Sequence, residues 1–411
     1  MPDPAKIEFL TRSPDEASFQ IHEVQSSQAR GLFRPQRLPQ AAWEVTAQPQ
    51  SFDGSRHFVL RNLQRDRYVL LSAQEHFLWN HFDGNHTLAE IAKILHFKFG
   101  AFDYSIINQL LTKLSSAGLL AEVGATGVQA SVPSKSSRRW ARALIRLRRA
   151  WGRLSFKIRD ADRYCSAIYR HGGFLLFNPI ALALCLAITV YAIVAVVRLS
   201  PQARQIAMGL AGIPLLSTGA MIATMLFVAV QHVMVHALAC KAYGRKVREI
   251  GFFLLQGVLP TFYADVTDIF MSSRRARIVV DLAGPLVEVA FGSFAFIAAY
   301  WSPPGVGQSL FFAAGILLWE GALLNLYPFN FLELDGYNIL ADLLAMPTLR
   351  QRAMTLLPKL PRRLLRGPKL QKSEWIQTGY LAICFISVIV YIVLHLDALG
   401  LGWLIGSKQI Y

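Results

Sequence analysis

The hydrophobic pattern divides the chain in two. Between residues 52 and 125, apolar positions come in short runs and at helical spacing among polar ones, whereas from 174 onward they form stretches long enough to cross a bilayer. Phe58-Val59-Leu60 and Tyr68-Val69-Leu70-Leu71 predict two short strands, with a turn in the polar stretch 62–66. Ser72-Ala73-Gln74-Glu75 reads as a capping box opening a helix that carries Phe77, Leu78, Trp79 and Phe82, and Asp83-Gly84 ends it. Thr87-Leu88-Ala89-Glu90 is a second capping box, followed by Ile91, Ala92 and Leu95. A third helix is predicted from Asp103, with Ile107, Leu110, Leu111 and Leu114 on one face, and Gly118 leads into Leu119-Leu120. Residues 1–51 show little periodicity and several prolines, so an irregular lead-in is expected there; no internal repeat is visible.

At 1.5 Å of rise per residue, the apolar stretches 174–197, 216–240, 278–301, 310–327 and 376–395 are each long enough to span a membrane. Ile206–Leu215 is apolar but short, a possible half-span. Phe252–Tyr263 is also too short to span and contains Gly257 and Pro260, so it is expected to be a re-entrant segment lining a site. The expected fold is therefore mainly α: a polytopic α-helical membrane domain of about five to six spans, preceded by a small α+β, winged-helix-like soluble domain. The units are expected at 1–51 (lead-in), 52–125 (soluble domain), 126–170 (linker and basic interfacial helix) and 171–411 (membrane domain, with a basic loop at 349–373).

Charge sharpens this division. The chain carries a net charge of +16, and its basic residues cluster at 135–170 and 350–372, flanking the apolar spans. That placement favours juxtamembrane segments attracted to anionic lipid over a nucleic-acid surface. Trp140, Leu144, Ile145, Leu147, Trp151 and Leu154 lie among arginines as in a helix resting on a membrane. The loops 241–249 and 272–277 and the long loop after 345 are basic, while 199–215 and 302–309 hold only Arg204. The positive-inside rule then places the chain in the cytoplasmic (inner) membrane as a multi-pass protein with its N-terminus in the cytoplasm. The soluble domain is nearly neutral: between 52 and 120, seven Lys and Arg face six Asp and Glu. It lacks the basic face that duplex binding needs, so nucleic acid is not an expected partner. Met1-Pro2-Asp3-Pro4 offers neither a basic n-region nor an apolar h-region, so no secretory signal is expected. Cys165, Cys185, Cys240 and Cys384 show no C-x-x-C spacing and are expected to be free thiols.

The candidate chemistry sits inside a span. Residues 232–236 read His-Val-Met-Val-His, the zinc-protease helix motif H-E-x-x-H with valine in place of its glutamate. Histidines four apart share one helix face and can reach one metal. Together with Asp335 in Leu334-Asp335-Gly336, His232 and His236 make a candidate three-ligand zinc site with an open position. The bland alternative is a purely hydrogen-bonded pair. In such proteases the glutamate takes and returns the proton of the attacking water. Val233 can do neither, which predicts a hydrolytic rate lower by about 10²–10⁴-fold. Glu288, inside a span, and Asp268 are weak candidates for a replacement base; their ordinary roles would be a structural hydrogen bond and a helix cap.

Two resemblances follow from ordered motifs. Tyr68-Val69-Leu70-Leu71-Ser72, the Trp79…Phe82-Asp83-Gly84 stretch, Thr87-Leu88-Ala89-Glu90-Ile91-Ala92 and Leu114…Gly118-Leu119-Leu120 resemble the PqqD-like peptide-recognition domain. That family implies binding of peptides, commonly leader peptides, by strand addition to a sheet edge. The segment 228–350 resembles the site-2 protease family of intramembrane zinc metalloproteases, in the branch found near peptide-modification and export systems. The likeness lies in 232–244, 247–252, 260–268, Ala283-Gly284-Pro285-Leu286-Val287-Glu288 and Asn325-Leu326-Tyr327-Pro328-Phe329-Asn330…Leu334-Asp335-Gly336-Tyr337. It implies zinc held by His232, His236 and Asp335, an Asn325 that orients substrate backbone or an oxyanion, and a Gly284-Pro285 pair permitting close packing or a local break. Val233 departs from the family pattern. The expected function is a membrane-embedded, zinc-metalloprotease-like protein of impaired activity. It would bind a peptide or membrane protein for maturation, export or regulation, alongside peptide-export or modification partners. The alternatives are an active zinc metalloendopeptidase with a non-standard base, and a metal-free membrane scaffold or transport accessory.

Overall fold

The computed structural model describes residues 6–11, 20–25, 33–100, 104–121, 156–255, 259–361 and 371–398. The chain divides into two compact units, 1–135 and 136–411.

In the first unit, β1 (Lys6–Thr11) and β2 (Gln20–Gln25) pair antiparallel by themselves. A second, three-stranded antiparallel sheet runs in the order β3 (Trp43–Ala47), β4 (His57–Asn62), β5 (Arg67–Ser72). Residues 1–51 are thus not the irregular lead-in that their weak periodicity suggests: they hold a hairpin and an edge strand. Trp43-Glu44-Val45-Thr46-Ala47 buries only its first residue, so its hydrophobic pattern is faint, and its strand character comes from pairing with β4. Asn62 fixes the β4–β5 turn. Its Oδ1 accepts the Gln64 and Arg65 N–H groups, and its Nδ2 donates to the carbonyls of Ala117 and Gly118.

Three helices follow: α1 (Ala73–Asn80), α2 (Leu88–Phe99) and α3 (Tyr104–Ser116). Both capping boxes form. Ser72 Oγ accepts the Glu75 N–H while Glu75 accepts the Ser72 N–H, and Thr87 and Glu90 repeat the exchange. The helices close over the sheet through Leu60, Leu71, Leu78, Trp79, Phe82, Ile91, Ile107, Leu110, Leu114 and Leu119, all essentially inaccessible.

The second unit is mostly helical. Among the described residues, five helical segments are long and apolar enough to cross a membrane: Pro179–Met208, Pro214–Ala242, Arg274–Trp301, Val306–Leu326 and Lys372–Val393. The first comprises α5 (Pro179–Leu199) and the short α6 (Ala203–Met208), which takes up the start of the expected half-span. The others are α7 (Pro214–Ala242), α8 (Arg274–Trp301), α9 (Val306–Leu326) and most of the last helix, 372–398. Close packing of α8 on α9 depends on missing side chains. A Cβ on Gly292 would lie 2.4 Å from Trp319, and one on Gly315 would lie 2.8 Å from Phe296.

The stretch expected to be re-entrant forms a β-hairpin, β7 (Ile250–Leu255) and β8 (Leu259–Ala264), with Phe252 opposite Phe262. Its aromatic and apolar composition suits a short strand as well as a membrane segment, and the antiparallel ladder satisfies its backbone. β6 (Phe156–Ile158) adds to the other edge of β7. Residues 156–170 therefore belong with the helical unit rather than with a linker. The basic stretch Trp140–Leu154 lies outside the described residues. The helix α4 (Ala161–Arg170) is fastened by Asp162, which accepts from Lys241 Nζ at 2.8 Å and from the Val247 N–H at 2.9 Å. Burial works to raise the pKa of Asp162, but the Lys241 ammonium and the Val247 N–H outweigh it, and the carboxyl stays below its ordinary range. The four cysteines are free.

Candidate metal centre

The helix α7 starts with Pro214 in its first turn, a position where a missing N–H costs nothing, and runs apolar for 29 residues. His232 and His236, one turn apart, point the same way, with ring centroids 4.6 Å apart. Opposite them, α8 presents Gly284. A Cβ there would lie 2.4 Å from His236 Nε2 and 2.5 Å from His232 Nε2, so both imidazoles occupy space that only glycine leaves open. Pro285 lies inside α8 and has no N–H to give the carbonyl one turn back, which loosens the helix locally. At this level the Val280 carbonyl accepts from His236 Nδ1 at 2.6 Å.

Asp335 comes from the short helix α10 (Asp335–Leu343) that follows α9. Gly336 makes its approach possible: a Cβ at 336 would lie 2.1 Å from the Leu326 carbonyl oxygen at the end of α9. At its other end, α10 is tied to the start of α8 by a buried pair, with Arg277 Nε 2.8 and 2.9 Å from the two oxygens of Asp342. Asp335 Oδ2 then lies 3.2 Å from His232 Nε2, and Oδ1 lies 3.5 Å from His236 Nε2.

One ligand atom each from His232, His236 and Asp335 lies within 4.8 Å of the others. The two Nε2 atoms are 2.9 Å apart. The Nδ1 of His236 faces the Val280 carbonyl and that of His232 faces Glu288 Oε1 at 2.9 Å. His236 Nδ1 donates to a carbonyl, so its neutral tautomer turns a bare Nε2 lone pair toward His232 and Asp335, whereas His232 Nδ1 lies within ion-pair distance of Glu288 without a directed hydrogen bond. Two ring nitrogens and a carboxylate converging at this distance repel unless a proton or a metal cation lies among them. Zinc bonds of about 2.0–2.2 Å at tetrahedral angles set neighbouring ligand atoms roughly 3.3–3.6 Å apart; the 3.5 Å distance falls in that range, 3.2 Å lies just under it, and the 2.9 Å between the two Nε2 atoms is shorter.

Over 119 residues the chain is 29% identical to the protein named "Putative peptide zinc metalloprotease protein YydH" of Bacillus subtilis (strain 168). The chain resembles that protein in part. The match covers 28% of this chain and 44% of the relative, so it spans less than half of that protein's length. No family model matches the sequence, and no solved structure matches it.

The structure brings His232, His236, Asp335, Glu288 and Asn325 into one cluster. Asn325, near the end of α9, donates through Nδ2 to both oxygens of Glu288 at 3.1 Å. Asp268 belongs to a different place: buried in a 3-10 turn, it accepts the Lys246 N–H at 2.9 Å, beyond the end of α7. Sequence reasoning missed the Val280 carbonyl, Arg277 and Asp342. A backbone acceptor leaves no mark in the sequence. Arg277, by contrast, stands just before the apolar stretch of α8 that begins at Ile278, and a buried arginine requires a partner.

Proposed function

We propose that this chain is a membrane-embedded, zinc-binding protein of the metalloprotease type whose hydrolytic activity is impaired. The observation that carries the reading is the convergence of His232 Nε2, His236 Nε2 and an Asp335 oxygen, with His236 Nδ1 held by the Val280 carbonyl. Zinc bound there would supply Lewis acidity on the open side of the triangle. The two histidines and Asp335 would hold it, and Gly284 leaves room for both rings. A proton acceptor is missing where H-E-x-x-H supplies one, because Val233 is an alkyl group. Glu288 does not replace it: it faces His232 Nδ1, across the ring from the nitrogen turned toward Asp335. The partial likeness to a protein named as a peptide zinc metalloprotease supports the same reading.

In this reading the N-terminal sheet receives a peptide, or a segment of a membrane protein, as an added strand. β3 and β5 are the edges of that sheet, and Glu44, Val45 and Ala47 on β3 are exposed. The basic stretches at 135–170 and 350–372 contact anionic lipid and set the N-terminus in the cytoplasm. Substitution of Val233→Glu in the full-length protein tests the impairment. Cleavage of a peptide library is expected to rise by about 10²–10⁴-fold over the natural chain. A natural chain that already cleaves as fast as the variant would overturn it.

A further inference from the structure

Glu288 is a carboxylate inside a helix long and apolar enough to span a membrane, and it is 9% exposed. Such a group is costly and needs close partners. Two of its neighbours come from two other spans: Asn325 Nδ2 on α9 lies 3.1 Å from each oxygen, and His232 Nδ1 on α7 lies 2.9 Å from Oε1. The amide faces the carboxylate squarely, with one nitrogen shared by two oxygens. Gly321, one turn before Asn325, leaves its Cβ position 3.7 Å from Oε2, in ordinary contact distance. The carboxylate is therefore braced from α9 and faces the imidazole on α7. The two histidines are placed differently: His236 donates to a neutral backbone carbonyl at 2.6 Å, while His232 Nδ1 lies 2.9 Å from a carboxylate that is itself held, within ion-pair distance but without a directed hydrogen bond.

We infer that Glu288, braced by Asn325, is the positioning residue of His232: it fixes the ring's tautomer and direction so that Nε2 faces His236 and Asp335. This rests on the zinc reading above. Carboxylates behind ligating histidines orient the ring and raise its basicity, and losing one costs about 10–100-fold in metal affinity. The inference gives the span carboxylate a task other than proton transfer, and it commits the Asn325 amide to Glu288 rather than to a substrate.

The test is zinc affinity of the full-length protein in detergent, measured by competition with a chelator, for the natural chain, Glu288→Leu, Glu288→Gln and Asn325→Leu. Glu288→Leu is expected to bind zinc about 10–100-fold more weakly. Glu288→Gln should lose less than Glu288→Leu, because a glutamine carbonyl keeps an acceptor facing His232 Nδ1 while Asn325 turns its own carbonyl to the new amide. Asn325→Leu should fall between them. Cobalt(II) absorption supplies a second readout, since a reoriented His232 alters the ligand field and a purely structural loss does not. If the natural chain binds no zinc, the zinc reading itself fails. If it binds zinc and Glu288→Leu binds it equally well, the positioning role is overturned. A Glu288→Gln variant as weak as Glu288→Leu would also overturn it, leaving charge alone as the contribution. Should Glu288→Leu fail to fold, the isosteric Glu288→Gln and the Asn325→Leu variants still decide the matter.

Discussion

The two units of this chain solve opposite packing problems. The N-terminal unit buries its largest side chains, with Trp79, Phe82, Leu60 and Leu110 wholly inaccessible, and satisfies its helix starts by local capping. The helical unit turns its large apolar residues outward: Ile180 is 67% exposed and Val190 61%. Inside, it packs small residues, among them Ala192, Ala195, Gly292, Ala299 and Gly315. Outward apolar surface is stable only in contact with lipid, where small residues let helices approach and each buried polar group needs a reason. Some polar groups between the spans are tied to nearby carbonyls, as Ser293, Gln308 and Ser309 are, while His232, His236, Glu288 and Asn325 come together from three helices. The contrast shows how each unit treats its polar residues: the first holds Asn62 and Glu75 in hydrogen bonds that fix its turns and helix starts, and the second pairs Arg277 with Asp342 and gathers His232, His236, Glu288 and Asn325 in one cluster.

The largest expected effect lies at the close approach of α8. Gly284→Val would put methyl groups where both Nε2 atoms lie, and zinc content should fall to about a tenth or less of the natural level, the scale on which a displaced ligand shell acts. Metal analysis of the purified variant checks this; full retention would mean the histidines do not meet over Gly284. Next is Arg277→Met, which strands the Asp342 carboxylate in a mostly buried position and should cost about 3–5 kcal/mol. Thermal unfolding of the helical unit reads this out, while the N-terminal unit should melt unchanged. Leu60→Ala reverses the pattern, with about 2–5 kcal/mol lost from the N-terminal unit alone. Coupled loss in both units would erase the contrast.

Smaller effects separate local from shared stability. Ser72→Ala removes a capping box and should cost about 1 kcal/mol in the N-terminal unit. Asp83 supplies a pH test. Partial burial works to raise its pKa, but the Asn85 and His86 N–H groups and the His86 imidazole outweigh that and hold it at about 2. A carboxyl depressed on folding contributes stability that is present above its unfolded pKa and is lost as the pH falls toward the folded value. The N-terminal unit should therefore weaken as pH drops from about 4 toward 2, and Asp83→Asn should flatten that slope. An unchanged slope would place the acid sensitivity elsewhere.

Much of this was legible in the sequence where the signal is local. The two capping boxes, the apolar faces of the three short helices and the five spans all follow from spacing within one element. The histidine pair is legible for the same reason, since i and i+4 share a face. What remained hidden is made of contacts between distant segments. Strand β3 acquires its character from β4. The 250–264 hairpin has the composition of either a strand or a short membrane segment, and only pairing decides between them. Glu288 shows in sequence as a carboxylate in a span, a candidate base, and only the approach of α7 shows that it faces Nδ1 of His232. The role of Gly336 depends on a carbonyl ten residues earlier, which no local pattern reports.

The central claim is that His232, His236 and Asp335 hold a metal in a chain that lacks the usual proton acceptor. Zinc content of the purified full-length protein, beside His232→Ala and Asp335→Ala, tests it most directly. The account predicts about one zinc per chain in the natural protein, as a three-ligand site with an open position requires, and its loss from both variants. A natural protein without zinc, or variants that keep it, would contradict the claim.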